Sequence, residues 1–451
     1  MRRILTTILF LLFAVMLRSQ TEPIKLSIDE CVSMARENSA DCKNSTLAVS
    51  RAEAVREEAR AAYFPKISAQ AFALKSYNPL LEIGIADIDN ALLRQYAYAL
   101  AHEYGALWGG KESISISDGG WMANLTAVQP VYAGGRVRNS NKLATLGVKA
   151  SQLLSMTRDD EVSQQTETLC WQLVALQQKA QTIEMLATLL DTLHKDVVSA
   201  SNAGLVTPAA LTKVNLKKSE CELNRKKIDD GIALMKMALA QTIGVDDWAL
   251  IVITDTLGGE LPPDSYMCDA KTAVESRNET QLLNLSVEAQ QLQKRLVIGE
   301  ALPTLMVGGS LNYHTFLNTP SKNMVAFALL QIPITDWHKT AFRIKQHNID
   351  IETEQNKRND LVEKMTLQTE QAWFNLQQSW LQIELSQKNA DDARQNLKTA
   401  QDFYSAGMLP LSDLLEAQTL FKNALDDLSD SRTEYRINLL KYKMLTNKLN
   451  D

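Results

Sequence analysis

The sequence predicts a mainly α-helical protein with a small β portion. Three observations carry this: long Leu, Ala, Gln, Glu and Lys tracts with few breakers, four stretches of period-two alternation, and one order of elements written twice. The 451 residues hold enough apolar material for a sizeable core. Only 11 Pro and 18 Gly are spread along the chain, which favours long helices over a loop-rich fold.

The repeat is the most informative of the three. Gln129-Pro130-Val131-Tyr132-Ala133-Gly134-Gly135-Arg136 is answered by Ile332-Pro333-Ile334-Thr335-Asp336-Trp337-His338-Lys339, an offset of 203. The offset persists at Glu167 and Glu370, Trp171 and Phe374, Gly204 and Gly407, and Leu211 and Leu414. Upstream, Tyr63-Phe64-Pro65 matches Ala301-Leu302-Pro303 at 238, so the first copy carries 35 extra residues, placed between about Lys75 and Gly120.

Each copy reads helix, strand, strand, very long helix, Gly-containing turn, helix. Opening helices are expected from about Ser27 to Ala62 and from about Ala270 to Ala301. The long helices, about 135–203 and 337–406, would each reach roughly 100 Å if straight, at 1.5 Å per residue. Leu169, Leu173, Leu176, Ala180, Ile183, Leu186, Leu190, Leu193 and Val197 recur at spacings of three and four, a coiled-coil seam. Trp373, Leu376, Trp380, Ile383, Ala390, Leu397 and Tyr404 mark a weaker stripe in the second copy. Return helices follow at about 208–244 and 411–449.

Strands are expected at about 65–75, 121–132, 303–314 and 323–334. Leu305, Val307, Gly309, Leu311 and Tyr313 alternate with Ser310 and Asn312. Ile67, Ala69, Ala71 and Ala73 do the same in the first copy, as do Trp121, Ala123, Leu125 and Ala127. Val325, Phe327 and Leu329 are read as the apolar face of the fourth strand. About ten residues is the length of a tilted membrane strand. Four such strands beside helices this long leave an open sheet, which in a membrane must close completely, most directly by oligomerisation.

The chain opens with Arg2 and Arg3, an apolar run from Ile4 to Leu17, then Arg18, Ser19 and Gln20. That run is too short to span a bilayer and reads as a signal peptide over residues 1–20. Its removal takes away three Arg, leaving 44 basic against 53 acidic residues, a balance that disfavours nucleic acid as a partner. No later run of 18 apolar residues exists, so a mature chain that enters a membrane does so as a barrel. The five cysteines read as small buried hydrophobes, Cys31 and Cys42 being roughly 16 Å apart on a helix and beyond disulfide reach.

On these residues the chain resembles the TolC-type outer-membrane efflux proteins, over roughly Leu26 to Leu449. The local signals are the Pro130–Arg136 run and Ala406-Gly407-Met408-Leu409-Pro410-Leu411-Ser412-Asp413-Leu414-Leu415-Glu416-Ala417. The resemblance implies a homotrimer in the outer membrane of a Gram-negative bacterium, with three sets of four strands forming one 12-stranded β-barrel above an antiparallel coiled-coil tunnel in the periplasm. It divides the mature chain into a first structural repeat (21–244), an equatorial linker (245–268) with a short strand at Ile251–Ile253, and a second repeat (269–451). Strand-to-helix turns fall at Pro130, Gly134, Gly135 and Pro333.

The resemblance also implies that the helix tips at Gly204, Leu205, Gly407 and Met408 meet a periplasmic adaptor protein, and that an inner-membrane RND, ABC or MFS transporter supplies the energy. The two Gly residues equally suit ordinary helix C-termini. Asp413 and Glu416, three apart at a helix start, are where the resemblance places an acidic entrance gate; acids there also interact favourably with the helix dipole. The matching turn, Thr207 to Val214, has no acid, and Glu279 stands where relatives commonly have Pro. The Lys75–Gly120 insertion, with Tyr77, Tyr96, Tyr98, Tyr104 and Trp108, either plugs the barrel or faces the exterior.

The five His and five Cys show no metal-ligand spacing, and no phosphate-cradling or nucleophile motif is present. The sequence therefore predicts no enzymatic activity, no cofactor and no metal. The expected role is a passive exit duct for solutes in multidrug efflux; a type I protein-secretion exit uses the same duct. A periplasmic coiled-coil tether predicts the same helices without needing the strands.

Overall fold

The computed structural model describes residues 23–77, 81–103, 113–117, 119–315 and 320–447. The expected signal peptide, together with Tyr104 and Trp108 of the insertion, lies outside the described residues. In chain order the helices are α1 (Ile28–Asn38), α2 (Ala40–Ala61), α3 (Ala91–Glu103), α4 (Arg136–Asn202), α5 (Pro208–Ile243), α6 (Ala270–Ser276), α7 (Asn278–Glu300), α8 (Asp336–Ser405) and α9 (Leu411–Leu445). The strands are β1 (Ile24–Leu26), β2 (Lys66–Lys75), β3 (Leu81–Gly84), β4 (Ser113–Ser117), β5 (Gly119–Ala133), β6 (Ile251–Ile253), β7 (Thr304–His314) and β8 (Ser321–Gln331). Among the described residues no helix is long and apolar enough to cross a membrane.

The chain forms two compact units. The first comprises Met1–Arg51, Lys149–Ser286 and Gln355–Asp451, and is held by helix packing. β1 pairs with β6 in parallel, Lys25 opposite Val252. α1 starts in a capping box, the Ser27 hydroxyl accepting from the Glu30 N–H and the Glu30 carboxylate from the Ser27 N–H.

The opening helix expected from Ser27 to Ala62 is broken at Ser39, which turns out to ψ 142°. Ser39 donates its N–H to the Ala35 carbonyl at 2.9 Å and accepts from the Cys42 N–H at 3.2 Å, closing one helix and capping the next. Likewise, the helix expected from Ala270 to Ala301 breaks at Arg277, with ψ 145°. The Arg277 side chain is only 7% exposed and pairs with Glu279 at 2.6 Å. Glu279 thus shapes the start of α7 through a half-buried ion pair.

α8 shows why such long helices hold together. Leu376, Ile383, Ala390 and Leu397 are buried at intervals of seven, as are Ala372, Ser379 and Ser386. A sustained seven-residue repeat keeps one seam facing a partner helix through left-handed supercoiling. The partner is α9: Ser386 and Ser431 hydroxyls meet at 2.9 Å, and Trp380–Tyr435 and Trp373–Tyr442 rings lie 5.4 and 5.2 Å apart. The α4 seam is tighter where Leu173, Ile183, Leu190, Leu193 and Val197 are buried, with Leu169, Leu176, Ala180 and Leu186 half-buried.

The second unit comprises Ala52–Val148 and Val287–Glu354. Its four-stranded sheet has the order β2-β5-β7-β8, with every neighbouring pair antiparallel. Below the sheet, Asn141 donates to the Ala59 carbonyl at 2.8 Å, Trp337 Nε1 to the Ala301 carbonyl at 3.1 Å, and Arg343 pairs with Glu300. The insertion between Lys75 and Gly120 carries the β3–β4 hairpin and α3, which buries no residue.

The amphipathic sheet and the helix turns

In an antiparallel pair, directly opposed residues share a face, so the register sorts the sheet into rows. Ala69, Leu125, Leu311 and Met324 form one row across all four strands. The adjacent row is Gln70, Asn124, Asn312 and Asn323, on the opposite face. Two residues further along that same face stand Ser68, Thr126, Ser310 and Val325. Short side-chain bonds run along the polar face, Thr126 Oγ1 donating to Asn124 Oδ1 at 2.5 Å and Asn312 Nδ2 to Ser310 Oγ at 3.1 Å.

The apolar face is open: Leu311 is 52% and Met324 77% exposed. A shallow depression of about 740 Å³ lies among Ala69, Ala71, Ala123, Leu311, Tyr313 and Met324. Towards one end of this face the Trp121 and Tyr313 rings pack with centroids 4.7 Å apart and planes tilted by 36°, and Lys322 reaches over the Tyr313 ring at 5.9 Å. Aromatic rings beside a long cationic side chain suit the boundary between hydrocarbon and water.

One expectation for β8 is corrected by this register. Val325, Phe327 and Leu329 face the polar rows, opposite Ser310, Gly308 and Met306, whereas Met324, Ala326, Ala328 and Leu330 share the face of Leu311. β8 is apolar on both faces between Met324 and Leu330, so period-two contrast could not assign its parity.

The turns lie as follows. Pro130 falls inside β5 and not in a turn, at a bulge where the pairing shifts between Pro130 and Tyr132. A bulge tolerates the missing proline N–H. Gly134 and Gly135, with φ of 61° and 75°, make the turn into α4. Arg136 fastens it, donating to the Ala133 carbonyl and Thr304 Oγ1 at 3.1 Å each. Pro333 sits in the link between β8 and α8.

At the far end of α4 and α8 the chain makes two similar turns. Gly204 has φ 75°, with Leu205 N–H bonded to the Ala200 carbonyl; Gly407 has φ 73°, with Met408 N–H bonded to the Phe403 carbonyl. Both are Schellman closures. Pro208 then opens α5, and Pro410 caps α9. Leu205 and Met408 point to solvent, while Val206 and Leu409 pack on one cluster containing Ile183, Leu193, Val214, Leu397, Leu414 and Phe421. The two turns therefore sit together at one end of the helix bundle.

Asp413 and Glu416 occupy the first turns of α9, both exposed, while Leu414, Leu415, Ala417 and Gln418 between and after them are buried. Ser412 Oγ donates to Asp413 Oδ1 at 2.9 Å, and among the described residues neither carboxylate has an ion-pair partner. The structure thus places both acids on the solvent face beside the tips, and the first turn of α5 holds no acid.

A four-stranded antiparallel sheet with one exposed apolar face, joined to very long paired helices, defines the fold of outer-membrane channels with a helical tunnel and barrel. Residues 271–447 match the family model described as outer membrane efflux protein. The chain is similar to the CmeC outer membrane channel of Campylobacter jejuni (TM-score 0.76, 14% identity, covering 94% of this chain and 86% of that one). It is likewise similar to the outer membrane protein VceC of Vibrio cholerae (TM-score 0.73, 14% identity, 94% and 96% covered). The open state of the Neisseria gonorrhoeae MtrE outer membrane channel also matches (TM-score 0.66, 14% identity, 94% and 89% covered). No curated protein matches by sequence. Taken together, the chain has the fold of these outer-membrane channels, and residues 271–447 are similar to the outer membrane efflux protein family.

Proposed function

We propose that the chain is one protomer of a passive outer-membrane exit duct, conducting solutes from the periplasm to the exterior. The observation that carries this is the pair of register rows: Ala69, Leu125, Leu311 and Met324 on one face and Gln70, Asn124, Asn312 and Asn323 on the other. A sheet that is apolar outside and polar inside suits a barrel in lipid around a wet lumen. Among the described residues β2 and β8 are the outer strands of the sheet, and three copies of the four-stranded sheet joined at these strands give one 12-stranded barrel. A tether that does not conduct has no use for such a sheet.

The exposed apolar side chains Leu205 and Met408 at the paired turns suit contact with a periplasmic adaptor. An inner-membrane RND, ABC or MFS transporter supplies the energy, and the duct itself hydrolyses nothing. In a trimer, Asp413 and Glu416 bring six carboxylates towards one axis beside the tips, where they attract cations and gate the entrance.

The test is single-channel conductance of detergent-extracted protein in a planar bilayer, comparing wild type with Asp413→Ala/Glu416→Ala. Cation-selective conductance that multivalent cations block, with the block lost in the double variant, supports duct and gate together. Conductance with unchanged block removes the gate from these residues. A protein that inserts without conducting overturns the duct.

A further inference from the structure

The four strands of the large sheet, β2, β5, β7 and β8, contain no Asp, Glu or Arg, and their Lys residues are Lys66, Lys75 and Lys322. The register divides these lysines by face. Lys322 stands opposite Tyr313, and Lys75 lies an even number of positions from Ala69, so both belong to the apolar face with Leu311. They lie at the end of the strands that bears Trp121 and Tyr313. Lys66, at the other end of β2, alternates with Ile67 and so shares the polar face with Ser68 and Gln70. Lys66 is exposed, and among the described residues no acidic side chain pairs with it.

The surroundings of Lys66 leave its charge uncompensated. The rest of its row is Val128, Gly308 and Phe327. The Phe327 ring lies across Gly308, where an added Cβ would come within 2.6 Å of its Cζ, so the wall beside the ammonium is apolar. A charge set in a weakly polar wall projects its field into the space that it faces. Towards α4, the Arg136 guanidinium donates to Thr304 Oγ1 on this same face at 3.1 Å, adding a second cation and no acid. The remaining titratable side chain of the face is His314, at the far end opposite Met122.

We propose that Lys66 is a selectivity-determining residue of the barrel, favouring the passage of anions through it. The proposal rests on reading the chain as a duct, in which the polar face of the sheet lines the lumen. Three copies then supply three Lys66 ammonium groups, and the barrel strands supply no carboxylate. A ring of Lys side chains around a pore raises the local concentration of anions and lowers that of cations. Solutes bearing a carboxylate, sulfate or phosphate group are the class that this ring attracts. Its sign is opposite to that of Asp413 and Glu416, so the ion preference of the whole duct is the resultant of two groups of charges.

The test is the reversal potential of the detergent-extracted protein in a planar bilayer across a KCl gradient. Recording at pH 8, where histidine side chains are ordinarily neutral, keeps His314 out of the comparison. Lys66→Gln should lower the chloride-to-potassium permeability ratio roughly twofold, and Lys66→Glu should lower it further. The same shifts are expected in the Asp413→Ala/Glu416→Ala background, which lacks the opposing acids. Lys322→Gln, on the apolar face, should leave the ratio unchanged. If Lys66→Glu does not assemble, the Lys66→Gln and Lys322→Gln comparison decides alone. A ratio that Lys66→Gln does not move, or that Lys322→Gln moves as far, overturns the assignment, while the measured conductance leaves the duct standing. Wild-type protein that inserts without conducting overturns the duct, and the assignment with it.

Discussion

Gly134 and Gly299 meet backbone to backbone. A Cβ built on Gly134 lies 2.2 Å from the Gly299 carbonyl oxygen, and one built on Gly299 lies 2.6 Å from that of Gly134. The turn from the sheet into α4 is thereby seated on the last turn of α7.

Gly299→Ala, and Gly134→Ala still more, should destabilise the protein by about 1–3 kcal/mol through overpacking, with strain at φ 61° added at Gly134. Gly204 and Gly407 have comparable φ but nothing within 4 Å of a Cβ, so Ala there costs only about 1 kcal/mol of left-handed strain. Urea titration of the four single variants separates the two classes.

The two faces of the sheet predict opposite tolerance to charge. Leu311→Arg puts a guanidinium on the apolar face and should cost about 2–4 kcal/mol, enough to block stable insertion. Asn312→Arg, one residue along on the polar face, should insert and alter conductance instead. Heat-modifiable migration of the extracted protein, followed by bilayer recording, reads both outcomes.

Burial raises the Glu167 carboxyl above its usual range, against the hydrogen bond donated by Trp171 Nε1 at 3.1 Å. A raised folded-state pKa means that the folded chain binds the proton more readily, so this group's contribution to stability is lost as pH rises through that pKa. Glu167→Gln, which keeps the acceptor, should raise the melting temperature at pH 8 and change it little at pH 4. An equal shift at both values would assign the effect to packing.

Glu279 behaves in the opposite sense. Burial pushes its carboxyl up, but hydrogen bonds from Arg277 and the backbone outweigh it and leave it below the usual range. The pair's contribution is present above the unfolded carboxyl pKa and is lost as pH falls through the folded one. Glu279→Gln leaves the buried guanidinium of Arg277 without its counter-charge and should cost more stability at pH 7 than the double variant Arg277→Met/Glu279→Gln. Thermal melts of the three proteins at pH 7 and pH 4 give the comparison.

Tyr435 donates its hydroxyl to the Leu261 carbonyl at 2.5 Å from a fully buried ring. Tyr435→Phe orphans that carbonyl and should cost about 1–3 kcal/mol in denaturant unfolding.

What was legible in the sequence was what repeats along it. Leu376, Ile383, Ala390 and Leu397 announce a helix seam by spacing alone, and Ala69, Ala71 and Ala73 announce a strand. Elements set by tertiary contacts left no such trace. β1 has three residues and exists because Ile251–Ile253 pairs with it. The breaks at Ser39 and Arg277 occur within otherwise helical stretches, and β8 is apolar on both faces. Of the site, the glycine turns were readable from residue type, because left-handed backbone leaves few alternatives. The meeting of Gly134 with Gly299 was not, since residues on distant elements share no local period.

The sheet also carries a parity. Three successive antiparallel pairings make β2 and β8 run in opposite directions. When the β8 edge of one copy meets the β2 edge of the next, that junction is antiparallel too. Any ring of identical copies, odd or even in number, therefore closes without a single mismatched seam, and a ring of three inherits the same alternation at its joints that each chain has within.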